Sequence, residues 1–127
     1  MAKILVVDDE DGIRSALRRA LTLDDHEVLL ASDGVEGERL FRENQPDLMI
    51  TDIIMPGKEG IDLLKELLAE FPDRKIIVMS GGARVVDGDD LQFLLDVAQS
   101  AGARRAIKKP FDLDELRSIV HDMLKGV

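Results

Sequence analysis

A chain of 127 residues fits one domain at roughly 100–200 residues each, with no room for a second, and is long enough to bury a true core. It is 45% hydrophobic and 34% charged with a net charge of −9, which rules against intrinsic disorder and against gripping nucleic acid through phosphates. The absence of Cys excludes disulfides, thiolate metal sites and a cysteine nucleophile, and the four-residue apolar run after Lys3 is too short for a signal peptide or membrane span, so a single-domain cytoplasmic protein over residues 1–127 is expected.

The first element is Ile4-Leu5-Val6-Val7, an unbroken apolar run of the kind found in a strand covered on both faces. Ile13, Ala16, Leu17, Ala20 and Leu21 then mark one face of an amphipathic helix. Val28 to Ala31 reads as a second strand, and a weaker helix follows from Val35 to Glu43, with Gly37 inside it. Leu48 to Thr51 is a third strand that stops at Asp52; Met55-Pro56-Gly57 breaks the chain, and Ile61, Leu64, Leu67, Leu68 and Phe71 form a helical stripe. Ile76 to Met79 is a fourth strand ending at Ser80-Gly81-Gly82. After a polar loop, Leu91, Leu94, Leu95 and Ala98 mark a helix closing near Gly102, and Ala106-Ile107 is a short fifth strand before Lys109-Pro110. The last helix opens with Asp112 and Glu115 at capping-box spacing and carries Leu116, Ile119, Val120, Met123 and Leu124 inward.

Strict strand–helix alternation implies an α/β fold: a five-stranded parallel sheet with helices on both faces, a three-layer (βα)5 arrangement. Right-handed crossovers leave few topologies, and the flavodoxin-like order 2-1-3-4-5 is expected, with the chemistry beyond the carboxyl ends of the strands. Asp8 and Asp9 follow strand one, Asp52 strand three, Ser80 strand four and Lys109 strand five, so distant parts of the sequence meet at one mouth. Carboxylates gathered there repel unless a cation is present, and oxygen-only ligands suit a hard ion, Mg²⁺ in particular beside a phosphate. Lysine, hydroxyl, carboxylate and metal are the parts that hold a transferring phosphoryl group. Singly, each residue has a plainer reading: an Asp after a strand is usually a turn or cap residue, Ser80-Gly81-Gly82 a tight loop, and Asp8-Asp9-Glu10-Asp11 a solvated helix N-terminus. Jointly, at separate strand ends and in this order, they point to one site.

The stretches "ILVVDDE", "PDLMITDIIMPGKEG", "IIVMSGG" and "KKPFDLDEL" resemble those of response-regulator receiver domains of bacterial two-component systems, from about Lys3 to Leu124. The strand order above is that of the family's chemotaxis member, so it is not independent of the resemblance. The resemblance implies that Asp52 takes a phosphoryl group from a histidine kinase or histidine phosphotransfer protein. It implies that Asp9 binds Mg²⁺ directly, Asp8 mainly through water, with Asp52 and the backbone carbonyl of Ile54 completing the set, and that Lys109 and Ser80 engage phosphate oxygens. A cis bond before Pro110 is implied too, as is a downstream effector protein that reads the altered surface. The expected protein is a stand-alone switch or relay, not an enzyme beyond its own phosphotransfer and dephosphorylation, with no direct nucleic-acid or membrane contact; the pattern leaves the oligomeric state undecided.

Two departures from the family stand out. Ala106 occupies a position that is usually aromatic, so a ring-rotation switch is not carried over. The stretch between Ser80 and Lys109 is also longer than usual, the excess falling in Gly81–Asp90, where Val85-Val86 offers an apolar pair. Two rival functions are weighed. Asp9-Glu10-Asp11-Gly12 superficially matches the nucleophile motif of a small Mg²⁺-dependent phosphatase of the haloacid dehalogenase type, and a pseudo-receiver would bind partners without phosphorylation.

Overall fold

The computed structural model describes residues 2–53, 60–80 and 88–125, without the side chains of 88–91 and 94. Five strands, β1 (Lys3–Val7), β2 (Glu27–Ala31), β3 (Leu48–Asp52), β4 (Lys75–Ser80) and β5 (Arg105–Lys108), alternate with helices α1 (Asp11–Leu23), α2 (Gly34–Asn44), α3 (Gly60–Glu70), α4 (Gly88–Ser100) and α5 (Leu113–Lys125). All strand pairs are parallel, in the order β2-β1-β3-β4-β5. The expected sheet is therefore the observed one.

Side chains alternate across the pleat, and the core divides accordingly. Ile4, Val6, Ile50, Ile77 and Met79 pack with Leu17 and Leu21 of α1 and with Leu116 and Val120 of α5. Leu5, Val7, Met49, Ile76 and Val78 face the other way, against Phe41 of α2, Leu63, Leu64 and Leu67 of α3, and Leu95 and Ala98 of α4. Central strands β1 and β3 are buried almost throughout, which is why they read as unbroken apolar runs.

Gly37, a weak point for helix propensity, is required by packing: a Cβ there would lie 2.9 Å from Cγ2 of Val7. The glycine lets α2 settle closely on β1. Asp33 caps this helix by accepting the Glu36 N–H at 2.8 Å, and Glu36 returns the bond to the N–H of Ser32 at 2.9 Å. Asp112 caps α5 by accepting the N–H groups of Asp114 at 2.7 Å and Glu115 at 3.4 Å, but among the described residues the Glu115 side chain makes no return bond, so only half of the expected capping box forms. The predicted Gly81–Asp90 loop is shortened at its far end, because Gly88 already begins α4; residues 81–87, with Val85-Val86, lie outside the described residues, as do the side chains of Leu91 and Leu94. Ala106 sits beside Val78 in β5 and packs, half-buried, on the α2–α4 face. Among the described residues, no helix is long and apolar enough to cross a membrane.

Candidate functional site

Sheet order fixes where the polar residues arrive. β1 and β3 are neighbours, β4 follows β3, and β5 follows β4, so the residues ending these strands line one rim. Asp8 leaves β1 with its N–H still donating to the Ala31 carbonyl at 3.1 Å, which holds it against β2. Asp52 is the last residue of β3, and the sheet continues one step beyond it, where the Ile53 N–H donates to the Met79 carbonyl at 2.9 Å. Gly60 then closes the chain back: its N–H donates to the Ile53 carbonyl at 2.7 Å, and a Cβ at this position would fall 2.1 Å from the carbonyl oxygen of Asp52. The second glycine after the Met-Pro-Gly break is thus dictated by the close approach of α3 to the Asp52 backbone. Ser80 ends β4, and its carbonyl accepts the Lys109 N–H at 2.7 Å, so the two rim residues are tied through the backbone. The Lys109–Pro110 bond is cis, as the resemblance implies.

The side chains converge as far as the strand ends do. Lys109 Nζ donates to Asp8 Oδ2 at 2.7 Å and to Asp52 Oδ2 at 3.0 Å, with Glu10 Oε1 at 3.7 Å. Asp8, Asp52, Ser80 and Lys109 are all buried, Asp8 completely. Burial pushes the Asp8 carboxyl above its ordinary range, even though Lys109 and the Glu10 N–H, which donates to Asp8 Oδ1 at 2.9 Å, oppose the shift. Burial also works against the charge on Lys109, but its hydrogen bonds with Asp8 and Asp52 outweigh it, and the ammonium is held above its usual range. One lysine thus serves two buried carboxylates and stays protonated, while the compensation it gives Asp8 is incomplete. Among the described residues, the rim carries more carboxylates than Lys109 matches.

Ligand atoms of Asp8, Asp9 and Glu10 lie within 4.8 Å of one another, an all-oxygen group of the kind that suits a hard divalent cation. Asp52 joins this group through the shared lysine, and Ile54, the expected carbonyl ligand, lies outside the described residues. Glu10 was not among the expected site residues; its adjacency to Asp8-Asp9 was the available signal, but an acid at a helix start has an ordinary reading in the helix dipole. The hydroxyl of Ser80 is buried and has no hydrogen-bond partner among the described residues. An orphaned buried donor is costly unless a ligand supplies its acceptor, and a phosphate oxygen beside Lys109 would do so. Asp11, the second aspartate of the phosphatase-like string, opens α1 with its side chain 91% exposed and paired with Arg14, away from the buried set.

Comparison with known proteins gives the family. Residues 4–121 match the response regulator receiver domain family. The response regulator MprA of Mycobacterium sp. (strain KMS) is 35% identical over 126 residues, covering 97% of this chain and 50% of that protein. The DNA-binding transcriptional regulator NtrC of Azospirillum brasilense is 37% identical over 125 residues, covering 98% of this chain and 24% of its own. The chain therefore spans about half or less of the length of these curated relatives. A response regulator receiver domain protein from Clostridium thermocellum superposes with a TM-score of 0.84 at 35% identity, covering 96% of this chain and 93% of that one. The chain therefore belongs to the response regulator receiver domains of two-component systems.

Proposed function

We propose that Asp52 accepts a phosphoryl group from a phosphohistidine of a partner kinase or phosphotransfer protein, and that an effector protein reads the altered surface. The observation that carries this is the pairing of a buried lysine, shared by Asp8 and Asp52, with the buried Ser80 hydroxyl, which has no hydrogen-bond partner among the described residues. Asp52 is the carboxylate nucleophile: its oxygen attacks phosphorus, the P–N bond to the histidine breaks, and an acyl phosphate forms. The hydrogen bond from Lys109, shared with Asp8, aims the Asp52 carboxylate along the rim. As charge builds on the phosphoryl oxygens, Lys109 can exchange a carboxylate oxygen for a phosphoryl oxygen, and Ser80 gains a charge-assisted bond that no described residue supplies.

Asp8, Asp9 and Asp52, with Glu10 beside them and the Ile54 carbonyl, would hold Mg²⁺. Bound there, Mg²⁺ supplies positive charge to the phosphoryl oxygens and offsets the carboxylate repulsion. An effector that reads the altered surface is supported by the relatives, which extend well beyond the matched region, and a cytoplasmic location goes with this role. The test is intact mass after incubation with acetyl phosphate and Mg²⁺. Wild type should gain one phosphoryl group and Asp52→Asn none; a phosphoryl group still gained by Asp52→Asn but lost in Asp9→Asn would replace this reading with an Asp9-nucleophile phosphatase. No uptake by wild type would leave the pseudo-receiver reading.

A further inference from the structure

We infer that Arg14 is a positioning residue for the cation-binding turn. The inference rests on the proposed function and goes beyond it by naming what holds the ligands together. Asp8, Asp9 and Glu10 are consecutive residues leaving a strand, yet their ligand atoms share a space of 4.8 Å. Successive side chains of an extended chain point to opposite sides, so the backbone must turn sharply and be held there against carboxylate repulsion.

Arg14 is placed to hold it. Its own N–H donates to the Glu10 carbonyl at 3.2 Å in the first turn of α1, which brings the side chain back over the turn. One arm of the guanidinium donates to the backbone carbonyl of Asp8, and the other to a carboxylate oxygen of Asp11. The Arg14 side chain is 16% exposed and its Asp11 partner 91%, so the fork reaches from solvent to the foot of the site. Two features distinguish this from an ordinary surface pair. Arg14 grips Asp8 by its carbonyl, leaving the Asp8 carboxylate to Lys109 and the Glu10 N–H. Asp11 also neutralises the guanidinium, so the arginine braces the turn without placing an uncompensated charge next to the cation. The planar fork can span both acceptors, whereas a lysine offers one point charge to one of them.

The test is Mn²⁺ binding followed by the loss of the free-ion electron paramagnetic resonance signal, on wild type, Arg14→Lys, Arg14→Met and Asp9→Asn, with melting in EDTA alongside. Loss of a group that orients metal ligands weakens metal affinity by about 10-fold or more. Both Arg14 variants should bind Mn²⁺ about 10-fold more weakly, while their melting in EDTA stays within a few degrees of wild type. Affinity equal to wild type in either variant overturns the inference while leaving the proposed function intact, provided Asp9→Asn abolishes binding. Restoration by Arg14→Lys alone overturns it in favour of a simple charge effect. If wild type takes up no Mn²⁺, both the proposed function and this inference fall. Should Arg14→Met fail to fold, Arg14→Lys carries the same measurement.

Discussion

The two faces of the sheet and its carboxyl rim are built from the same strands under opposite rules. Beneath the helices the described buried side chains are apolar apart from Thr51, whose hydroxyl donates to the Asp52 carbonyl at 3.0 Å. At the rim, the buried residues Asp8, Asp52, Ser80 and Lys109 are polar or charged, and among the described residues one lysine serves two carboxylates and the Ser80 hydroxyl has no partner. The faces hold the fold together; the rim weakens it, because buried charge and a buried polar group without a partner both cost free energy. A rim that folding alone does not favour marks where function resides.

The comparison breaks most visibly if each region is damaged separately. Phe41 is fully buried on the α2 face and lies 5.5 Å, centroid to centroid, from Phe71. Phe41→Ala should cost about 3–5 kcal/mol in denaturant unfolding, from lost burial and the cavity left behind. The fraction of still-folded molecules that accept a phosphoryl group should not change. Lys109→Met is the rim's counterpart. It leaves Asp8 and Asp52 buried without their shared cation and should destabilise by about 3 kcal/mol, the scale for removing one partner of a buried ion pair. Unlike Phe41→Ala, it should also abolish phosphoryl uptake. Equal loss of uptake in both variants would erase the division between rim and faces.

A smaller effect sharpens the same contrast. Burial raises the folded-state pKa of Asp8 above its ordinary value of 3.8. The folded protein then holds this proton more tightly than the unfolded chain, so the contribution to stability is fully present below pH 3.8 and is lost as pH rises through the raised value. In EDTA, Asp8→Asn should remove that loss: its stability relative to wild type should grow from acid toward neutral pH. A difference independent of pH would show that the Asp8 proton is not what separates them.

Much of the fold was legible because parallel strands covered on both faces have an unmistakable pattern, and Ile4-Leu5-Val6-Val7 and Leu48-Met49-Ile50 leave little choice. The placement of Asp8, Asp52, Ser80 and Lys109 was legible as well, since each ends a strand or follows directly on one and the topology carries them to one rim. What the pattern hid were matters of close approach. Gly37 looks like a flaw in a helix until Val7 is seen beneath it, and Gly60 acquires its reason only from the backbone of Asp52. Glu10 and Arg14 were hidden in another way. Charged residues at a helix start resemble ordinary solvated surface, and only coordinates show the acid beside Lys109 and the guanidinium on the Asp8 carbonyl.

If the carboxylates of the rim serve a cation and a phosphoryl group at the expense of stability, melting wild type, Asp9→Ala and Asp52→Asn in EDTA and again in Mg²⁺ will show it. Both variants should melt above wild type in EDTA, because each relieves repulsion among the rim acids, and both should gain less from Mg²⁺ than wild type does. If both instead melt below wild type in EDTA, these acids are structural, and the account of the rim is wrong.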